Sequence, residues 1–213
     1  MEKTVEEQIN PDPENGKKLN PWLTIWYKPR ATFRSAINNK SMKLAFILAM
    51  LMGMIELFDR AIEKNMGHHM STVAVLVMII VLGAIVGIVL WFIWSAISYY
   101  VGKLLKGKGT IQEMNIAIGI SFIPLAVSGI FYILDIIFLR EALFIDTYLT
   151  PFQIVWLLIS AFFVFILAVW SVFLMVKAIA EVHQFSAWKG LLTLIIPVIV
   201  VFILLAILLV LII

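Results

Sequence analysis

Few side chains in this sequence could do chemistry, and those few sit in short polar islands between long apolar tracts. The stretch GKLLKGKGT, Gly102 to Thr110, approaches the pattern GxxxxGK[ST], whose backbone amides cradle phosphates. Gly109 stands where the magnesium-binding hydroxyl belongs, and an apolar tract rather than a strand precedes it, so nucleotide binding is not expected. The plainer reading is a tight turn in which glycines end one helix and allow a bend before the next, with the lysines facing anionic lipid. His68 and His69 are adjacent and close to Glu63, but neighbouring residues point apart on a helix and make a poor metal clamp. They read as a solvated loop. Glu181 and His183, two apart, also face different ways, so nothing supports general acid–base work there.

Carboxylates inside apolar tracts carry more weight, because burying one is costly. Glu56 and Asp135 are the two. Both fall near the ends of their tracts, where each can reach water or an arginine, Arg60 or Arg140 respectively. That argues against an ion path through mid-membrane. The chain has no cysteine, no HExxH, no GxSxG and no pair of facing carboxylates, so no enzymatic activity, metal or cofactor is expected.

The elements that must position these residues are membrane helices. With 63% apolar and 14% charged residues, the chain cannot cover itself in water. Its apolar tracts have the length that crosses a hydrocarbon core. The expected fold is an all-α bundle of five transmembrane helices over residues 41–213, with spans at about 44–58, 72–98, 114–134, 152–176 and 190–213. The first is weakest, being short and carrying Glu56. Five spans put 13 of the 16 Lys and Arg on one side, which makes the N-terminus cytoplasmic and the C-terminus external. The bases flank the spans, so they meet anionic headgroups rather than nucleic acid.

Residues 1–19, polar and proline-bearing, read as a disordered cytoplasmic tail without the apolar region of a signal peptide. Residues 20–40 read as a short interfacial amphipathic segment. Asn20 can cap a helix that starts at Pro21, with Trp22, Ile25 and Trp26 on one face. Pro29 can start a second, with Phe33 and Ile37 on one side and Arg30 and Arg34 on another. The alternative is a linker whose tryptophans pack on the bundle.

Within the spans, Gly83 and Gly87 form a small-xxx-small pair that admits another helix closely, with Ser95 near the same stripe. Ala117, Ser121, Pro124 and Ser128 make a narrow face in the third span. Both read as packing surfaces.

Three blocks carry a family resemblance: NPWLTIWYKPRATFR before the first span, GKGTIQEMNIAIGISFIP leading into a proline-bearing third span, and HQFSAWKGLLTLIIP leading into a proline-bearing fifth. Together with the order of the spans they resemble bacterial members of the Yip family. The resemblance implies a small integral protein of the bacterial cytoplasmic membrane with no catalytic residues to carry over. It further implies a scaffold or adaptor, accessory to another membrane system such as an ABC-type exporter or an envelope-stress response. Its partners would be the lipid bilayer with its anionic headgroups and another integral membrane protein or a second copy of itself. Eukaryotic relatives are associated with Rab-type GTPases through longer N-terminal regions whose motifs this chain lacks. The rival reading is a small-solute transporter or channel, with Pro124 and Pro197 in its moving or broken helices.

Overall fold

A computed structural model describes residues 19–212, with side chains to 210, so the expected tail lies outside the described residues except for Leu19. Eight α-helices run in order: α1 (Pro21–Thr24), α2 (Pro29–Asn38), α3 (Met42–Glu63), α4 (Thr72–Leu104), α5 (Ile111–Ser121), α6 (Ile123–Leu139), α7 (Pro151–His183) and α8 (Ala187–Ile212). Their starts follow local rules. Asn20 accepts from the Trp22 amide and Ser71 from the Ala74 amide. Thr110 with Glu113, and Thr150 with Gln153, form reciprocal capping boxes that satisfy otherwise orphaned amides.

Four stretches are long and apolar enough to cross a membrane: Thr72–Leu104, Ile111–Leu143, Pro151–His183 and Ala187–Val210. The expected first span is different. α3 reaches the needed apolar length only together with α2, from which it is bent by 120°. Lys43 at its start and Glu56, Asp59 and Arg60 toward its end break the apolar run. The chain is thus a multi-pass helical membrane protein with four candidate spans, or up to five if the bent α2–α3 pair counts as one.

The long helices alternate in direction, which gathers the connections at two ends. At the proximal end lie α2, the 105–110 loop and the α7–α8 turn, tied together where the Lys108 amide donates to the His183 carbonyl. At the distal end the 64–71 and 140–150 loops meet: the Gly67 amide donates to the Phe144 carbonyl, and the Asp146 amide to His68 Nε2.

α5 is the hub of the proximal half. Every residue from Met114 to Ser121 is buried, enclosed by α2, α3, α4 and α7. The expected third span is broken at Phe122, between α5 and α6. Pro124 lacks the amide that would bond the Ile120 carbonyl, so the helix cannot run on unchanged. At the same junction the Ser171 hydroxyl from α7 donates to the neighbouring Ser121 carbonyl at 2.7 Å, giving a carbonyl at the end of α5 a donor from another helix. α7 continues two turns past the expected end at Val176, which is what brings Glu181 and His183 onto the bundle. α8 packs against α7 and α4 at its start, but every side chain from Val198 to Val210 is exposed. Such an all-apolar surface is stable only against lipid or another membrane helix.

Candidate functional site

The two helices nearest one another, α3 and α4, meet through glycines. Gly83 and Gly87 face Ala49, Gly53 and Met54 of α3. A Cβ on Gly87 would fall on the Ala49 carbonyl, and one on Gly53 on the backbone of Gly83 and Gly87. Close backbone approach holds membrane helices together through dispersion, since lipid already satisfies apolar surface. The sequence reading named Gly83 and Gly87 but missed Ala49 and Gly53, which carry the same small-xxx-small spacing in AMLMG. Ser95 is buried farther along α4.

On the third span, Ser121 and Ser128 are fully buried. Their hydroxyls turn back onto the Ile118 and Leu125 carbonyls at 2.6 and 2.7 Å. Pro124 is buried at the start of α6.

The N-terminal residues divide. Ile25 and Phe33 are fully buried in the same core cluster as Ala45, Leu48 and Met114, so that apolar face packs on protein. Trp22, Leu23 and Tyr27 remain exposed, and Trp26, half-buried, donates its indole N–H to the Trp22 carbonyl at 2.8 Å. Arg30 is exposed. Arg34 reaches α7, where its guanidinium donates twice to one Glu181 carboxylate oxygen, at 2.9 and 2.6 Å. The pair is lopsided, Glu181 being 11% and Arg34 56% exposed. Solvent screening leaves it a modest contribution to stability, but it fixes α2 across the end of the bundle.

His183 lies beneath that clamp and is 1% exposed. Its ring stacks on Tyr99 and Phe185, with centroids 6.2 and 5.3 Å away. Nε2 is 3.3 Å from the Ser98 carbonyl. Gly102 and Gly107 lie flat against the ring, and Gly109 against Val182, where any Cβ would collide. The glycines of the GKLLKGKGT stretch are therefore there for close packing. None of the described glycines has a positive φ, and the left-handed turn residue is Lys106, at φ 66°. Sequence spacing placed Glu181 and His183 on different faces and so they are: one meets Arg34, the other plugs the core.

Between α2, the glycine loop, the start of α5 and the end of α7 lies an open polar cavity of about 690 Å³. Arg34, Lys108, Glu113 and Glu181 give it both signs of charge, and Ile37 and Val182 supply apolar wall.

At the distal end, Glu56 pairs with Arg60 at 2.7 Å. Asp135, 5% exposed, is held differently from the expected arginine. Its oxygens accept from Trp156 Nε1 at 2.7 Å and Ser160 Oγ at 3.0 Å, both on α7. Five residues on, Arg140 is rotated well away along the helix and begins the next turn. Asp59, which the sequence reading passed over, accepts from the Tyr132 hydroxyl at 2.9 Å. Its spacing of three from Glu56 was the available signal. His68 joins the two distal loops and His69 stays exposed. Among the described residues, no three His, Asp or Glu side chains come together in a way that could hold a metal ion.

Helical spans, glycine-mediated packing and charge confined to the two ends define a multi-pass integral membrane protein. The Yip1 domain matches residues 23–209, and the chain belongs to that family. Comparison with curated proteins and with solved structures gave no match.

Proposed function

We propose that this protein is a non-catalytic membrane scaffold or adaptor whose proximal face docks another integral membrane protein, such as an ABC-type exporter or an envelope-stress component. The observation that carries the reading is where the polar groups lie. The solvent-open, mixed-charge cavity is at the proximal end, whereas Leu48, Phe122, Ile123 and Leu174 close the core around the α5–α6 junction with 0–1% exposure. A cavity with both signs of charge and an apolar wall suits the surface of a folded protein.

In this reading the protein crosses the bacterial cytoplasmic membrane five times. The 22 residues of α3 rise about 33 Å, so that Lys43 at one end and Glu56 and Arg60 toward the other can reach the two headgroup regions. The proximal end, with 10 of the 13 bases among the described residues, is cytoplasmic. α1 and α2 lie at the inner interface, with Trp22, Leu23 and Tyr27 toward lipid and Arg30 toward anionic headgroups. A reporter active only outside the cytoplasm, fused after Ile213, should then be active. Activity of a cytoplasmic reporter at that place would remove the five-span arrangement.

The rival reading, a small-solute transporter, is favoured by the break at Phe122 and by Ser95, Ser98 and Asn115, whose buried side-chain oxygens have no partner among the described residues. Purification in mild detergent separates the two. The scaffold reading expects one membrane protein to co-purify reproducibly, and to be lost at least five-fold from Lys108→Glu but not from the distal Lys64→Glu. Solute flux into proteoliposomes with no co-purifying protein would establish the transporter instead.

A further inference from the structure

The distal stretch 65–70 reads NMGHHM, and four of its six residues carry a soft metal donor, a thioether sulfur or an imidazole nitrogen. The chain has no cysteine, but methionine supplies a second kind of soft sulfur. Adjacent histidines make a poor clamp, and the structure gives the two different tasks. His68 Nε2 accepts from the Asp146 amide at 3.1 Å, which commits that ring to joining the distal loops. His69 is exposed, and its imidazole bonds to none of the described residues.

The backbone decides what His69 can meet. Asn65 turns left-handed after α3, at φ 47°, and the chain then makes a helical turn in which the His69 and Met70 amides both donate to the Met66 carbonyl, at 3.0 and 3.1 Å. Positions i, i+3 and i+4 of such a turn share a face, with Cβ atoms about 5–6 Å apart. Met66, His69 and Met70 therefore stand on one face, while Gly67 lies against Phe144 and Ile145. Both methionines are half-buried at the edge of the distal core. As filler alone they would do what Leu57 and Ile62 do in the same cluster, and the free imidazole on their face is what sets them apart. A thioether on three rotatable bonds turns from the core edge toward a metal without moving the backbone.

The donor set selects the metal. Two thioethers and a neutral imidazole suit a soft monovalent ion, whereas structural zinc takes thiolates and several imidazoles, and calcium and magnesium take oxygen. The nearest carboxylate in sequence, Glu63, lies 3.7 Å from Lys64 Nζ. We propose that Met66, His69 and Met70 form a binding site for a soft monovalent metal ion of the Cu(I) class. The site is at the opposite end from the proximal cavity and does not depend on what docks there.

The test titrates Ag(I), a soft monovalent ion with no redox chemistry of its own here, into the purified full-length protein in chloride-free detergent buffer and reads retained silver by equilibrium dialysis. A single Ag(I) per chain should be retained, and excess Zn(II) should not displace it. His69→Gln, at an exposed position, should weaken retention at least ten-fold. The double variant Met66→Leu with Met70→Leu should do the same, and leucine conserves volume well enough to keep the fold. Met78→Leu, a methionine of the same cluster but on α4, should leave retention unchanged. No retained silver, retention that survives His69→Gln or the double leucine variant, or an equal loss from Met78→Leu would show that these methionines are core filler and overturn the proposal.

Discussion

Leucine at Gly87 should destabilise the protein by about 3 kcal/mol or more, the upper part of the range for overpacking. The new side chain would meet the Ala49 carbonyl and the Gly53 backbone, and backbone cannot swing aside as a flexible side chain does. α3 and α4 would have to separate along the length over which they pack most closely. Gly53→Leu attacks the same contact from the other helix and should cost as much. Leucine at the half-open Val86, 37% exposed, should change stability by less than about 0.5 kcal/mol. Thermal unfolding in detergent reads all three. Equal effects at Gly87 and Val86 would mean that the stripe faces lipid.

The second large effect concerns His183. Gly102→Ala sets a methyl against an imidazole with little room to move, because the ring is buried and stacks on Tyr99 and Phe185. His183→Ala removes the ring and leaves an unfilled space beneath α2. Each change alone should cost about 2–4 kcal/mol. In the double variant the methyl no longer collides and partly fills that space, so the combined cost should fall short of the sum by at least about 1 kcal/mol. Denaturation of the four proteins in one detergent measures the coupling. Additive costs would show that the glycine and the histidine do not meet.

What could be read from the sequence depended on whether a local pattern decides the outcome. The apolar tracts read from 72, 152 and 190 fall in helices that begin at Thr72, Pro151 and Ala187, because apolar length favours a helix where lipid is the solvent. The same logic could not tell what an amphipathic face touches. Ile25 and Phe33 have the periodicity of a lipid-facing stripe, and the fold buries them on protein instead. Pro124 marked a disturbed third helix, but the hydrogen bond from Ser171 to the Ser121 carbonyl links residues 50 apart and leaves no local trace. His183 was hidden for a similar reason. Its place depends on Gly102 and Gly107, about 80 residues earlier, and glycines in a turn invite a reading of backbone freedom before one of packing. α7 ran past Val176 because Lys177 and Glu181 sit at a bundle end where long charged side chains reach water without ending the helix.

The most direct test of the scaffold assignment places a photo-cross-linking amino acid in the intact membrane at three exposed positions: Asn38 and Lys108 beside the proximal cavity, and Lys64 at the distal end. The account predicts the same discrete adduct, to one other membrane protein, from both proximal positions and none from Lys64. Absence of adducts at Asn38 and Lys108, or an equal yield at Lys64, would contradict a docking face at the proximal end.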